Sequence, residues 1–161
     1  MVIVIMGVTG CGKTTIGKML ADQLGWEFHD ADDFHPEANV EKMRSGIPLT
    51  DNDRIPWLDA LTDLIHQSNG EGPSFVLACS ALKHDYRKLL RRGLKPVQFI
   101  YLKGTSELIK ERLEARRGHY MNPRLLSSQF STLEEPKDAL YIDITPSPEK
   151  IVADIRGELS L

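Results

Sequence analysis

Gly7-Val8-Thr9-Gly10-Cys11-Gly12-Lys13-Thr14 is the stretch of the chain that decides the fold. It matches the pattern G-x-x-x-x-G-K-[ST] at every fixed position, which is the spelling of a phosphate-binding P-loop. An apolar run, residues 2–6, precedes it, and apolar residues at helical spacing follow it as far as Leu24. This strand, loop and helix context favours a nucleotide site over a glycine-rich turn that has no ligand.

The glycines of this loop suit a backbone that must come close to a polyphosphate. Gly7, Gly10 and Gly12 carry no Cβ to obstruct that approach and can adopt positive φ angles. The loop ends at a helix N-terminus, where free N–H groups and the helix dipole favour negative charge. We expect Lys13 to reach the β- and γ-phosphates of ATP and the Thr14 hydroxyl to ligate Mg²⁺. The loop residues predicted to bind ATP are Gly7, Val8, Thr9, Gly10, Cys11, Gly12, Lys13 and Thr14.

Length and composition indicate an ordinary globular protein. The chain has 161 residues and a formal net charge of −3, which suits one domain and argues against nucleic acid as a partner. No apolar run approaches the roughly 18 residues that cross a bilayer, and the N-terminal run is too short for a signal peptide. We therefore expect no membrane association and a cytoplasmic location. The basic stretch 83–92 is interpreted as a solvated helix face or a substrate rim.

The two cysteines, Cys11 and Cys79, have no metal-like spacing and are expected to be reduced thiols. Cys11 has two interpretations. It is either a small loop residue or a reactive thiol whose pKa is lowered by the nearby helix N-terminus. In the second case, modification of the thiol would block nucleotide binding.

Strand-like and helix-like segments alternate along the whole chain. The predicted strands are residues 2–6, 26–30, 75–79, 97–102 and 139–144. The predicted helices are 13–24, 36–44, one that starts at Pro56, 83–92, one capped by Ser106, a short one that ends near Phe130, and a last one that buries Ile151, Ile155 and Leu159. This alternation predicts an α/β fold with a doubly wound, parallel, five-stranded sheet in one domain, residues 1–161. We expect mobility in the loop 45–54 and in an arginine-rich lid at about residues 116–130.

The carboxyl ends of parallel strands are where such sheets bind ligands, and polar residues collect there. Asp30 and Asp32 follow the second strand, and an Asp beside the γ-phosphate can accept the proton of an attacking hydroxyl. Asp33 has the alternative role of capping the next helix. Arg116 and Arg117 can neutralise transition-state charge, or they form a solvated helix end. The sequence contains no Asn-Lys-x-Asp stretch, which argues against a GTPase.

Several longer stretches together resemble the gluconokinases, which are small P-loop carbohydrate kinases related to shikimate kinase. They cover nearly the whole chain as far as Pro136 and comprise residues 7–14, Asp30-Ala31-Asp32-Asp33-Phe34-His35-Pro36, residues 46–54, Ala78-Cys79-Ser80-Ala81-Leu82-Lys83, Gly118-His119-Tyr120-Met121, and Ser128-Gln129-Phe130 through Pro136. The departures are small: Cys11 and Thr14 stand where serine is frequent, and Asn122 stands where proline is often found. The resemblance implies a fold of the nucleoside monophosphate and shikimate kinase type.

The resemblance implies ATP-dependent phosphorylation of D-gluconate at its 6-hydroxyl, with Mg²⁺ as cofactor, and suggests a homodimer. By analogy with shikimate kinases, Asp30 would help to hold Mg²⁺ through water. Asp32 suits the attacking hydroxyl, and Arg54 suits a bidentate pair with the substrate carboxylate. An ion pair of Arg54 with Asp51 or Asp53 is the alternative. The other predicted site residues are His35 and Lys83 for the substrate, Arg112 and Arg116 for ATP, and Arg117 as a catalytic lid arginine.

Two other functions compete with this prediction. One is a kinase for a different small acceptor, such as shikimate or a nucleoside monophosphate, on the same scaffold. The other is a non-catalytic nucleotide-binding switch that signals through a partner. The acidic group beside the P-loop argues against the switch, because a switch has no acceptor hydroxyl to deprotonate.

Overall fold

The structure of the protein is a computed structural model that describes residues 1–67, 71–93, 95–116 and 123–161. Five parallel strands form one sheet in the order β2-β3-β1-β4-β5. The strands are β1 (Val2–Met6), β2 (Glu27–Asp30), β3 (Phe75–Ala78), β4 (Val97–Lys103) and β5 (Leu140–Asp143). The central strand, β1, carries the P-loop at its carboxyl end, and all five of its residues are buried.

Helices cover both faces of this sheet. They are α1 (Lys13–Leu24), α2 (Glu37–Arg44), α3 (Asp51–His66), α4 (His84–Leu90), α5 (Ser106–Ala115), α6 (Pro123–Thr132) and α7 (Pro148–Leu159). A short 3₁₀ turn, Ala31–Phe34, follows β2. The predicted doubly wound, parallel α/β fold is therefore confirmed.

Alternate residues of β1 enter two separate cores. Ile3 and Ile5 pack in a cluster with α1 and α7, where Leu20 and Ile155 are fully buried. Val4 and Met6 pack on the opposite face with Trp57 and other residues of α3 and α4. Because side chains of a strand alternate between faces, a continuously apolar strand is required where both faces are covered.

The predicted start of α3 is wrong. The helix begins at Asp51, five residues before Pro56, so residues 51–54 are helical and do not belong to the preceding loop. Thr50 and Asp53 form a capping box, in which each side chain accepts a hydrogen bond from the backbone N–H of the other residue. The cap fixes the helix start, and Pro56 is tolerated inside the helix as a local loss of one backbone donor.

Two smaller predictions about helix ends are also corrected. Pro36 is the N-cap of α2 and not its first helical residue, so Asp33 does not cap that helix. Thr105 caps α5 in place of Ser106, because the Thr105 hydroxyl accepts a hydrogen bond from the Leu108 backbone N–H. Across the described ranges, no helix has both the length and the apolar character needed to cross a membrane.

Candidate active site

The P-loop has the backbone geometry that its glycines predict. Gly7, Gly10 and Gly12 have φ angles of 147°, 80° and 102°. A Cβ at Gly10 would lie 2.7 Å from Leu113, and one at Gly7 would lie 2.7 Å from Cys11 Sγ. Glycine is therefore required here by backbone conformation and, at two of the positions, by lack of space.

Lys13 and Thr14 begin α1 directly after this loop. The Lys13 ammonium donates a hydrogen bond to the Val8 carbonyl at 3.0 Å, so the side chain folds back over the loop. The Thr14 hydroxyl donates to Asp30 Oδ2 at 3.1 Å, which joins the P-loop to the carboxyl end of β2. A hydroxyl and a carboxylate oxygen at one point are donors that suit Mg²⁺.

A cleft of about 520 Å³ opens beside the P-loop. Its lining comprises Thr9, Lys13, Asp32, His35, Val40, Met43, Arg44, Pro48, Leu49, Arg54, Trp57, Ser80, Leu82, Leu125, Ser128 and Gln129. The structure thus brings together Lys13, Asp32, His35 and Arg54, which are all predicted from the sequence to be site residues. Two basic groups, one carboxylate and one imidazole share a concave surface next to the loop.

Asp32 lies on the 3₁₀ turn after β2, and the residue is exposed to the cleft. Asp30 caps that turn, since its Oδ1 accepts a hydrogen bond from the Asp32 backbone N–H at 2.9 Å. The protein around the Asp32 carboxyl partly excludes water, and this desolvation raises the pKa of Asp32. The negative charge of Asp30 raises it further, whereas Lys13 opposes the rise. A carboxylate with a raised pKa is a stronger proton acceptor.

Arg54 lies one turn into α3 and is held by Tyr86. Its Nη1 donates a hydrogen bond to the Tyr86 hydroxyl at 3.1 Å, and its guanidinium lies 5.6 Å from the centre of the Tyr86 ring. In the part of the chain that the structure describes, Arg54 forms no ion pair with Asp51 or Asp53. The alternative ion-pair interpretation is therefore wrong for these residues.

Lysines form ion pairs with Asp51 and Asp53, the two carboxylates that were the alternative partners of Arg54. Lys83 pairs with Asp51 at 2.8 Å, and Lys42 pairs with Asp53 at 2.8 Å. The Lys83 ammonium and then the Tyr86 hydroxyl lower the pKa of Asp51, and the same Lys83–Asp51 hydrogen bond raises the pKa of Lys83. Lys83 does not line the cleft, so its direct contact with a substrate stays a prediction.

His35 stacks on Trp57, with ring centroids 4.5 Å apart and an angle of 9° between the planes. Its Nδ1 lies 3.3 Å from Asn39 Nδ2. Burial lowers the pKa of His35 to about 4, and the charge of Arg54 contributes to the shift. The imidazole is therefore neutral near pH 7 and faces the same cleft as Asp32.

Gln129 on α6 is a site residue to which the sequence analysis gave no role. Its side-chain oxygen accepts a hydrogen bond from the Thr9 backbone N–H at 2.6 Å, across 120 positions of sequence. The stretch Ser128-Gln129-Phe130 carried part of the family resemblance, which was the only sequence signal for it. The roles of Gln129, Tyr86 and Asn39 were not predicted from the sequence, because their hydrogen-bond partners lie on other elements.

The expected lowering of the Cys11 pKa is wrong. Cys11 is only 2% exposed, and burial raises the pKa of its thiol although Lys13 and the adjoining backbone N–H groups oppose the shift. Cys79, at the end of β3, is also buried, and its pKa is raised to about 12. Both thiols are therefore small packing groups, which agrees with the first of the two interpretations of Cys11.

The three arginines assigned to ATP or to the lid have different surroundings. Arg112 on α5 donates a hydrogen bond from Nη2 to the Ile144 carbonyl at 2.7 Å. Arg116 is exposed and is the C-cap residue of α5. Arg117 lies outside the described residues, as does the remainder of segment 117–122. The roles of all three arginines stay predictions.

Comparison with known proteins places this geometry in a family. The model of the shikimate kinase family matches residues 9–153. A probable gluconokinase of Rattus norvegicus is 44% identical in an alignment that covers 96% of this chain and 95% of that protein. The thermoresistant gluconokinase of Escherichia coli K12 is 46% identical over 154 residues, covering 93% and 88% of the two chains.

A solved structure agrees with the sequence relatives. The gluconokinase from Sinorhizobium meliloti 1021 superposes with a TM-score of 0.88 at 37% identity, covering 98% of this chain and 90% of that one. The similarity therefore extends over the P-loop, the acidic turn after β2 and the helices around the cleft. The chain belongs to the gluconokinase family of P-loop kinases, within the group that the shikimate kinase model describes.

Proposed function

We propose that this protein transfers the terminal phosphoryl group of ATP to the 6-hydroxyl of D-gluconate, giving 6-phosphogluconate and ADP. The observation that carries the proposal is that Lys13 of the P-loop and Asp32 line one cleft. Phosphoryl transfer needs a phosphate-binding group and a proton acceptor within reach of the same reacting atoms. Close similarity to gluconokinases supports gluconate as the acceptor.

The nucleotide end of the site consists mainly of backbone. Backbone N–H groups of the P-loop and of the N-terminus of α1 bind the phosphates, and Lys13 reaches the β- and γ-phosphoryl oxygens. Thr14 would ligate Mg²⁺ directly, and Asp30 would hold it through water. Within the described ranges, no cluster of three His, Cys, Asp or Glu side chains could hold a metal ion. Bound Mg²⁺ would therefore depend on ATP for further ligands, and it would neutralise charge on the phosphates.

Asp32 performs the proton transfer at the acceptor end. The 6-hydroxyl oxygen attacks the γ-phosphorus, its proton passes to the Asp32 carboxylate, and the bond to the β,γ-bridging oxygen breaks so that ADP leaves. The raised pKa of Asp32 favours this transfer. Arg54, which Tyr86 orients, pairs with the gluconate carboxylate, and His35 contacts a hydroxyl oxygen.

The arginines near the end of α5 complete the proposed site. Arg112 and Arg116 contact ATP, and Arg117 stabilises the charge that develops on the transferred group. Lys83, which pairs with Asp51, contacts a hydroxyl or the carboxylate of the acceptor. Association into a homodimer also stays a prediction.

A coupled ADP-release assay against a panel of acceptors tests the proposal. The panel contains D-gluconate, other sugar acids, neutral sugars, shikimate and nucleoside monophosphates. We expect turnover with gluconate, and we expect the phosphorus NMR spectrum of the product to show a phosphate ester on a primary alcohol. Turnover with shikimate or a nucleotide in place of gluconate would overturn the substrate assignment. ATP binding without turnover of any acceptor would favour the non-catalytic switch.

A further inference from the structure

His35 is held in a fixed orientation at the wall of the cleft. One face of its ring lies against Trp57, which is only 2% exposed. Trp57 is itself anchored, because its indole N–H donates to the Ala31 carbonyl at 2.7 Å. The stacked pair leaves the imidazole little freedom to rotate, so the protonation of each ring nitrogen decides which group it presents to a ligand.

Asn39 determines that protonation pattern. It is a buried polar residue, only 3% exposed, and its Nδ2 donates a hydrogen bond to the Asp53 carbonyl at 2.8 Å. A carbonyl can only accept, so this bond fixes which end of the Asn39 amide carries the hydrogens. The same Nδ2 lies 3.3 Å from His35 Nδ1. An amide nitrogen can only donate, so Nδ1 must accept.

The Asp53 carbonyl is a reliable reference point for this amide. Asp53 is the third residue of α3, and its carboxylate accepts hydrogen bonds from the Thr50 backbone N–H at 2.9 Å and from Lys42 at 2.8 Å. Rotation of the Asn39 amide by 180° would replace this hydrogen bond by a contact between two acceptor oxygens, with no hydrogen between them. The lost hydrogen bond and the repulsion between the two oxygens disfavour the rotated amide.

A neutral imidazole that accepts at Nδ1 carries its proton on Nε2. The low pKa of His35, about 4, agrees with a neutral ring. His35 lines the same cleft as Asp32 and Arg54, where the acceptor's hydroxyl oxygens would lie. A fixed N–H at this position suits an oxygen atom of a polyhydroxy acid, and it leaves the proton transfer to Asp32.

We propose that Asn39 is a positioning residue that holds His35 as the Nε2–H tautomer, so that His35 donates a hydrogen bond to an oxygen of the acceptor. The proposal rests on the proposed function for the identity of that acceptor. It divides the cleft into one proton acceptor, Asp32, and two donors, His35 and Arg54. An analogue that lacks the matching oxygen would leave the Nε2–H unpaired and would bind more weakly.

Nitrogen NMR of the histidine rings tests the tautomer directly. The chain has five histidines, and the signals of His35 are those absent from a His35→Gln variant. In the nucleotide-free wild-type protein at pH 7.5, we expect an unprotonated Nδ1 and a protonated Nε2. A protonated Nδ1 would overturn the proposal. Because this measurement needs no substrate, its result is independent of whether gluconate is the acceptor.

Steady-state kinetics test the consequence for substrate binding. We expect Asn39→Leu to raise KM for gluconate about tenfold, which is the size of one hydrogen bond to a substrate, with KM for ATP and kcat within a few-fold. In a His35→Gln background, where the glutamine amide supplies an N–H without any tautomer, the same change should have little effect. An equal rise in both backgrounds, or no rise in either, would overturn the positioning role.

A second variant guards against simple loss of folding. Asn39→Asp keeps the size of the side chain, but its carboxylate would accept from Nδ1–H and reverse the tautomer. The matched control is Asn52→Asp, the same change of charge at an exposed position of α3. We expect the ring signals of His35 to shift to the reversed pattern in Asn39→Asp and to stay unchanged in Asn52→Asp. Unchanged signals in both variants would show that Asn39 does not set the tautomer.

Discussion

The two walls of the cleft are built in different ways. The phosphate wall, residues 7–14, is one continuous stretch of backbone whose glycines have positive φ angles. The acceptor wall, Asp32, His35 and Arg54, consists of side chains that other side chains hold in place, such as Tyr86 for Arg54. A backbone wall suits phosphate, whose form is the same in every nucleotide, whereas a side-chain wall can be fitted to one particular acceptor.

Asp32→Asn should have the largest effect and should separate the two walls. The amide cannot take up the proton of the attacking hydroxyl, so we expect kcat to fall about 10³-fold. ATP affinity should stay within a few-fold, because the phosphate wall is intact. The measurement is the coupled assay together with titration of a fluorescent ATP analogue. Asp33→Asn, the same change at the next residue, is the control and should be nearly silent. Equal loss of turnover and ATP binding in Asp32→Asn would indicate a structural role for Asp32.

Gly10→Ala tests the phosphate wall in the same way. The new Cβ would meet the Leu113 side chain at 2.7 Å, and alanine would be strained at a φ of 80°, so we expect the loop to leave its phosphate-binding form. We expect ATP affinity to fall about 30-fold, or roughly 2 kcal/mol, and the thermal midpoint to decrease. The matched control is Gly157→Ala on α7, where the new Cβ would meet no heavy atom within 4 Å apart from the backbone of its own helix and its chain neighbours. Unchanged ATP affinity in Gly10→Ala would mean that the loop adapts without cost.

Arg54→Lys sharpens the description of the acceptor wall. Lysine keeps the charge but loses the planar, two-pronged donor and the contact of Arg54 with Tyr86. We expect KM for gluconate to rise about tenfold while KM for ATP is unchanged. Arg156→Lys on α7, where the side chain does not line the cleft, is the control. A gluconate KM that stays within a few-fold would show that Arg54 does not bind the carboxylate.

The acceptor wall should also make a small contribution to the pH dependence of stability. The pKa of His35 is about 4 in the folded protein and has an ordinary value of 6.5. The folded state therefore binds fewer protons, and the free energy of unfolding should decline as pH falls from about 6.5 toward 4. Thermal unfolding of wild type and His35→Gln across that range measures the difference.

The expected result is a shallower decline in His35→Gln. It should not vanish, because burial also lowers the pKa of His66, which titrates in the same direction. Asp53 does not contribute in this pH range. Lys42 lowers its pKa from an ordinary 3.8 to about 2, so its effect on stability appears only below about pH 4. His84→Gln, at an exposed histidine, is the control. Identical slopes in wild type and His35→Gln would contradict the low pKa of His35.

The contrast between the walls explains how much of the site could be predicted from the sequence. The P-loop was predictable, because its backbone geometry requires glycine at three fixed positions of the sequence. Asp32 was expected beside the P-loop because the ends of parallel strands meet at one edge of a sheet, and His35 and Arg54 were expected there from the family resemblance. All three line one cleft, while their roles stay predictions. The partners of Arg54 and Lys83 were not predictable from the sequence. Arg54 and its partner Tyr86 are 32 positions apart, as are Lys83 and Asp51, and only the packing of the helices determines these pairs.

The fold itself followed from the alternation of buried strands and helices. The predicted start of α3 at Pro56 is the main error, because the capping box of Thr50 and Asp53 starts the helix at Asp51. The error in the Cys11 pKa had a different cause. The helix N-terminus does favour a thiolate, but nearly complete burial opposes it, and burial at that level depends on tertiary packing.

The capping box of α3 ties the acceptor wall together. The first two turns of that helix contain Arg54, the Asp53 carbonyl that orients Asn39, and Trp57, on which His35 rests. Fraying of this single helix end would release all of them in one cooperative event. Acceptor recognition should consequently be lost in an all-or-none manner at mild denaturant, and amide hydrogens of this turn should exchange with solvent in step with that loss.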